Sequence, residues 1–188
     1  MKLIKLGLAS LLASGALFAG TYKVDESHSN VGFKVKHMMI SNTTGKFDKF
    51  SGSFEYDEKT KVLKSLNGNI QVKSINTENT KRDNHLRDSD FFAANKFPDI
   101  KFKLNKIDGD YAYGKLTIKD VTKDVKLDFE NYGSVKDPWG NTRAGFALSG
   151  KLNRFDYGIK NNMLLEAGGL VVGEIVKLNI ELEGIKTK

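Results

Sequence analysis

The chain has 188 residues, with 30 lysines and arginines, 23 aspartates and glutamates, and a formal net charge of +7. It contains no cysteine, which excludes a disulfide framework, a thiolate metal site, a cysteine nucleophile and a lipoprotein anchor. Many lysines alternate with apolar residues, as Lys34 and Lys36 do, which is typical of the solvated face of a sheet. We therefore expect no nucleic-acid partner.

The first residues have the features of a secretory signal peptide. Lys2 and Lys5 precede an apolar run from Leu6 to Phe18, which is shorter than the roughly 20 residues that a membrane-spanning helix needs. Ala19 is a small residue at the expected cleavage position. The sequence therefore predicts an exported protein, with a signal peptide over residues 1–19 and a single domain over residues 20–188.

The rest of the chain alternates apolar and polar residues with the period of two that strands have. Gly45 and Gly52 predict a bend or bulge in the strand around them. Residues expected to face inward are, in chain order, Val31, Phe33, Val35, Phe47, Phe50, Phe54, Leu66, Ile70, Val72, Ile100, Phe102, Leu104, Leu116, Ile118, Val125, Leu127, Phe129, Ala144, Phe146, Leu148, Val176, Leu178, Ile180 and Leu182.

About eight such strands, joined mainly by short turns, predict an all-β fold. They close most simply into an antiparallel barrel, because closure hides both the apolar face and the strand edges. A two-sheet sandwich with a solid core has the same alternation and is the alternative. The interior of an eight-stranded barrel is either filled by side chains or holds one small ligand. The pattern alone leaves these two interiors open.

One charged segment interrupts the strands. The chain from Asn79 to Phe92 can form about three helical turns, with Leu86, Phe91 and Phe92 on its apolar side. We expect a short helix that caps one end of the barrel, with Phe97 as a further apolar contact. Its charged residues then pair with one another or anchor the helix to the barrel.

Several motifs, in order along the chain, resemble the YceI-like family. The resemblance implies an extended, lipocalin-like, eight-stranded antiparallel barrel in the bacterial periplasm, whose interior binds polyisoprenoids or other long-chain amphiphiles. It also implies a homodimer, and a lipid ligand implies transient contact with a membrane. The motifs are Asp25-Glu26-Ser27-His28-Ser29, Lys36-His37-Met38, Gly45-Lys46-Phe47, Arg82-Asp83-Asn84-His85-Leu86, Asp90-Phe91-Phe92, Lys96-Phe97-Pro98, Gly114-Lys115-Leu116-Thr117-Ile118, Val121-Thr122-Lys123 and Arg154-Phe155-Asp156-Tyr157-Gly158.

With this resemblance, we interpret the aromatic residues as the lining of a ligand cavity. Arg82, His85 and Arg154 have two readings: each either anchors its segment or meets the polar head group of the lipid, where a guanidinium can hold a phosphate. The residues predicted to line the cavity are Phe33, Val35, Phe47, Phe50, Phe54, Phe91, Phe92, Phe102, Leu116, Phe146 and Leu148.

We expect neither a metal nor catalysis. The three histidines are scattered, without a carboxylate pair at ligand spacing. Asp25, Ser27 and His28 suggest a Ser-His-Asp triad, but neighbours in an extended segment point to opposite faces. We therefore predict a binding protein that carries, stores or scavenges an isoprenoid lipid and needs no cofactor. The alternatives are a stress-related interaction module with a filled barrel and, less favoured, a lipid-modifying enzyme.

Overall fold

The structure is a computed structural model and describes residues 19–166 and 169–187, so residues 1–18 of the predicted signal peptide lie outside the described residues. The described chain forms one α-helix, α1, and a series of strands, with short 3-10 helices at Glu26–His28, Val72–Ser74 and Arg154–Tyr157. In chain order the elements are β1 Gly20–Val24, β2 Asn30–His37, β3 Ser41–Phe47, β4 Phe50–Asp57, β5 Val62–Gln71, β6 Ile75–Asn76, α1 Thr80–Arg87, β7 Asp99–Asp108, β8 Tyr111–Ile118, β9 Val121–Lys136, β10 Thr142–Asn153 and β11 Val172–Lys186.

The strands form one antiparallel sheet that closes on itself. From β7 to β11 each strand pairs with the next along the chain, and β11 then pairs with both β1 and β2. β1 and β2 both pair with β11 and together occupy one strand position of the barrel, and β3 and β4 together occupy the next. We call each such position a wall, and the closed barrel has eight walls. The predicted eight-stranded antiparallel barrel is confirmed. The sandwich alternative is wrong, because β11 pairs with β1 and leaves no open edge between them.

The connections define two ends. We call the upper end the one that carries the β2–β3 turn, the chain from 72 to 98 with α1, the β8–β9 turn and the chain from 154 to 171. The lower end carries the β4–β5, β7–β8 and β9–β10 turns. The predicted short helix at one end of the barrel is confirmed, since α1 packs beside β6 at the upper end. None of the described helices is long and apolar enough to span a membrane.

Gly45 in β3 and Gly52 in β4 do not form the bend that the sequence predicted around them. The break between β3 and β4 lies at residues 48–49. Gly45 instead makes room for an aromatic ring, because a Cβ there would lie 2.4 Å from Cζ of Phe33. At Gly52 a Cβ would lie 2.8 Å from the carbonyl oxygen of Asn67 on the paired strand. Both glycines therefore permit close approach, which the alternation pattern could not distinguish from a bend.

The helix is shorter than the sequence suggested. Its N-cap is Asn79, whose side chain accepts a hydrogen bond from the Arg82 amide at 2.9 Å. It ends at Arg87, because Asp88 is extended and donates its N–H to the carbonyl of His85. The chain after Arg87 continues as turns, so α1 has about two helical turns rather than three.

Candidate lipid cavity

The barrel encloses two apolar cavities on its axis. The upper cavity has a volume of about 140 Å³ and the lower one about 70 Å³. They are neighbours that share part of their lining, since five side chains face both: Val31, Ile70, Leu116, Leu178 and Ile180. A cavity of about 150 Å³ lined by apolar side chains is enough for benzene. The upper cavity therefore has room for only a few carbon atoms. A longer hydrocarbon chain would fit only if aromatic side chains of the lining rotate.

The structure places most of the predicted lining residues at these cavities. Phe33, Val35, Phe47, Phe91 and Phe92 line the upper cavity. The lower cavity is lined by Phe50, Phe102 and Leu148, and Leu116 faces both.

Phe54 and Phe146 lie elsewhere in the core. Neither is among the described residues that line the two cavities. Their rings meet edge to face at 5.1 Å, and Phe54 stacks on Tyr22 at 5.0 Å. Phe54 and Phe146 are almost completely buried. These aromatic residues form a solid part of the core rather than a cavity wall.

The sequence reasoning missed several lining residues of the upper cavity, among them Ile75, Leu152, Ile159 and Val172. Leu152 extends the alternation of Ala144, Phe146 and Leu148 by two further steps, so that pattern could have found it. Ile159 and Val172 flank the irregular chain between β10 and β11, where no periodicity marks the inward face.

Arg154 is the only charged residue among the described residues that line the upper cavity. Its side chain is 4% exposed and donates to four backbone carbonyls, those of Gly173, Ile159, Asn161 and Val172, at 2.6 to 3.0 Å. Burial lowers the pKa of the guanidinium, although the nearby Glu174 carboxylate opposes this. Within the described residues, no carboxylate lies within 4.0 Å of it.

These contacts show that Arg154 anchors the chain around the 3-10 helix at the upper end. The guanidinium has five N–H groups, and the four bonds to carbonyls leave one of them free of a protein acceptor among the described residues. A positive charge in an otherwise apolar cavity wall also attracts an anion more strongly than one in water would. Anchoring and head-group binding are therefore compatible at this residue.

Arg82 and His85 connect α1 to the chain segments on either side of it. Arg82 is exposed, and its guanidinium donates to the hydroxyl of Thr77 at 2.7 Å and to the Thr77 carbonyl at 2.8 Å. The ring of His85 bonds to the Asp90 carboxylate at 2.9 Å and lies edge-on to Phe91 at 4.8 Å. Neither residue is among those that line the cavities. The geometry favours the anchoring role for both.

A charged cluster on the barrel wall was not expected. His28 lies near the carboxylates of Asp25 and Glu183, and Arg143 donates to both, at 2.9 Å and 2.5 Å. Arg143 also donates to Asp137 at 2.9 Å, and that bond is the largest cause that raises the pKa of the guanidinium. Because Arg143 already neutralises the carboxylates, they are poor ligands for a cation. Glu183 is too distant in sequence from His28 for a spacing argument to join them.

The argument against a catalytic triad needs a correction. Ser27 and His28 lie in a 3-10 turn that Asp25 caps, so the three side chains do meet. The Ser27 hydroxyl bonds to Asp25 at 2.6 Å, and both Ser27 and Asp25 contact Nδ1 of His28, at 3.1 and 2.9 Å. A triad needs the serine and the aspartate on opposite ring nitrogens. This arrangement therefore cannot relay a proton from the serine.

Comparison with known proteins supports this description. A family model for the YceI-like domain matches residues 22–184. Protein YceI of Escherichia coli O6:H1 is 37% identical over 99% of this chain and 98% of its own length. The crystal structure of the Campylobacter jejuni YceI protein superposes with a TM-score of 0.69 at 38% identity, covering 87% of this chain and 96% of that one.

A further solved structure shares the fold alone. It is described as a polyisoprenoid binding domain from Saccharophagus degradans implicated in plant cell wall breakdown, and it matches with a TM-score of 0.64 at 17% identity. The alignment covers 90% of this chain and 99% of that domain.

Proposed function

Since the chain belongs to the YceI-like family, whose fold is that of a binding protein, we propose that it binds a polyisoprenoid or another long-chain amphiphilic lipid inside its barrel. The observation that carries this proposal is the pair of neighbouring apolar cavities on the barrel axis. The Saccharophagus degradans domain of the same fold, described as polyisoprenoid binding, supports it.

Burial of hydrocarbon supplies the binding free energy. Each Å² of apolar surface removed from water contributes roughly 25 cal/mol, so an isoprenoid chain binds with few polar contacts. Phe33 and Phe92 line the upper cavity and are only partly buried, unlike the side chains at the centre of the core. Their rotation would lengthen the cavity for a chain longer than the present volume accepts.

Arg154 favours a lipid with an anionic or strongly polar head, such as a prenyl phosphate or an isoprenoid quinone. Arg154 lines the upper cavity, and its charge has no carboxylate partner within 4.0 Å among the described residues. The head group would then lie at the upper end, with the hydrocarbon tail directed toward the lower cavity.

We further propose that the protein is exported to the periplasm through residues 1–19 and there transports, stores or scavenges its lipid. The basic start and apolar run of those residues support export. No cofactor is needed for binding of this kind. The homodimer implied by the family resemblance stays a prediction.

Native mass spectrometry of the protein purified from a bacterial periplasm tests the proposal. We expect a fraction of molecules to carry additional mass, and organic extraction to release a prenol-type lipid. If every molecule has the mass of the bare chain, and added prenol and prenyl phosphate both fail to bind, lipid binding is wrong. If the two added lipids of equal chain length bind equally, the role of Arg154 is wrong while the cavity proposal stands.

A further inference from the structure

The upper end carries exposed apolar side chains that the lipid cavity does not use. Met38, Met39 and Ile40 form the β2–β3 turn, and Ile40 is 86% exposed. Met163 and Leu164, in the chain between β10 and β11, are 69% and 80% exposed. We call these five residues the upper tip.

Hydrogen bonds join the two parts of the upper tip into one surface. The Met38 amide donates to the Val171 carbonyl at 2.8 Å, and the Val171 amide donates to the Met163 carbonyl at 3.0 Å. An isolated bridge between Leu164 and Leu170 holds the second segment folded back on itself. The β2–β3 turn and the segment with Met163 and Leu164 therefore lie next to each other at the upper end.

The turn conformation is unfavourable for its residues. Met38 and Met39 have φ values of 50° and 63°, the signs of a type I′ turn, in which asparagine and glycine are preferred. A methionine side chain in this region is strained, and here the strain is not offset by burial, since Met39 is 57% exposed. A pair of residues that suits neither its backbone nor water indicates a contact with an apolar partner.

The charge near the tip suggests which partner this is. Between Asn30 and Phe47 the sequence has lysines and no acidic residue, and Lys34 and Lys36 are exposed on the outer face of β2. The segment with Met163 and Leu164 has no net charge, because Lys160 and Glu166 balance each other. Apolar side chains projecting above a basic strand are complementary to a bilayer with anionic head groups. A second copy of the chain would instead bring two basic hairpins together, which is repulsive.

The upper tip is continuous with the upper cavity. Val35, three residues before the turn begins at Met38, lines the cavity, and so does Val172, which pairs with His37 at the end of β2. We propose that the upper tip inserts into the surface of a bilayer that contains anionic phospholipid, and so presents the upper end of the cavity to membrane lipid. This inference rests on the proposed lipid-binding function and adds the partner from which the lipid is taken.

Flotation with vesicles of phosphatidylglycerol and phosphatidylethanolamine tests the inference. The informative variant is Met38→Asn combined with Met39→Gly, because it removes two apolar side chains while giving the turn the residues it prefers. We expect it to be at least as resistant to unfolding as the wild type, and to bind the vesicles about tenfold more weakly. The matched control is Trp139→Ser, which removes an apolar side chain that is 80% exposed at the lower end. It should bind as the wild type does.

Two results would overturn the inference. One is equal vesicle binding by the wild type and the turn variant. The other is a wild type that ignores vesicles but forms a dimer that the turn variant loses, which would assign the upper tip to a second copy. Binding of added prenol in vesicle-free solution is measured on the same samples. If it persists while vesicle binding fails, only the membrane inference is lost, and the lipid-binding function stands.

Discussion

Phe33 in β2 and Phe146 in β10 both occupy positions predicted to face inward, yet their surroundings differ. Phe33 is partly buried and lines the upper cavity, and its ring occupies the space that the missing Cβ of Gly45 leaves. Phe146 is completely buried between Phe54 and Phe129, at ring distances of 5.1 and 5.9 Å. The same residue type thus has free volume in one place and none in the other.

A tryptophan at each position should separate the two roles. Phe33→Trp fills the upper cavity and should weaken lipid binding about tenfold, equivalent to about 1.4 kcal/mol, with little change in the free energy of unfolding. Phe146→Trp overpacks the core and should lower the free energy of unfolding by about 2 kcal/mol. Urea denaturation and a lipid titration of both variants measure these effects. Equal lipid affinity for Phe33→Trp and the wild type would show that the ligand does not occupy the upper cavity.

At the scale of elements, α1 is held to the barrel by polar contacts more than by apolar burial. Asp83 is the only residue of the helix that is buried, and it accepts hydrogen bonds from the amide and the hydroxyl of Thr77. Arg87 donates to the carbonyls of Lys73 and Ile75 at 2.9 and 2.8 Å. The charges that looked functional in the sequence therefore fix the helix over the end of the barrel.

Removing the carboxylate of Asp83 should be costly. Asp83→Ala leaves the buried Thr77 amide and hydroxyl without that acceptor, so we expect the free energy of unfolding to fall by about 2 kcal/mol. Asp88→Ala is the control, because Asp88 is exposed just beyond the helix, and its effect should stay within about 0.5 kcal/mol. Similar losses for the two variants would contradict a special anchoring role for Asp83. Chemical denaturation measures both.

The strands could be predicted because each buried face repeats every second residue, as Ala144, Phe146 and Leu148 do in β10. The pattern alone favoured a closed barrel, because closure hides the strand edges, and the family resemblance strengthened that choice over a sandwich with the same alternation. The same alternation identified most of the side chains that line the two cavities. What failed was the position of Phe54 and Phe146, because alternation shows that a side chain points inward but not whether space lies beside it.

Contacts between distant segments were also outside the reach of sequence reasoning. Glu183 meets Asp25 and His28 only because β11 closes on β1, and no local spacing encodes that closure. The side-chain cluster at Asp25 was misjudged for a related reason. A strand pattern suggests extended neighbours, whereas the N-cap of a 3-10 turn brings residues 25, 27 and 28 together.

For the whole molecule, the network around Arg143 predicts a pH dependence of stability. The hydrogen bond from Arg143 is the main cause that lowers the pKa of Asp137, to about 2. An unfolded aspartate has a pKa near 3.9, so the unfolded chain binds more protons between roughly pH 4 and pH 2. The contribution of Asp137 is therefore fully present above about pH 4 and is lost as the pH falls through about 2.

We expect Asp137→Asn to be less stable than the wild type at pH 7, and the difference between the two in urea denaturation to shrink as the pH falls toward 2. The direction follows from the sign of the pKa shift, since protonation of the wild-type carboxyl removes the charge that the variant already lacks. A difference that stays constant over this range would show that the ion pair with Arg143 contributes nothing to folding.

The seam between β1 and β11 has a consequence for chain connectivity. Tyr22 pairs with Lys186, and the amide of Thr187 donates to the carbonyl of Thr21 at 2.8 Å, so residues 20 and 187 lie side by side at the lower end. A short peptide could join them and turn the meander into a continuous ring. New termini could then be opened at Gly109, in the β7–β8 turn at the same end. Such a circular permutant keeps every strand pair and leaves the upper end unchanged. The order in which the strands are synthesised can therefore be changed without altering the residues of the upper end.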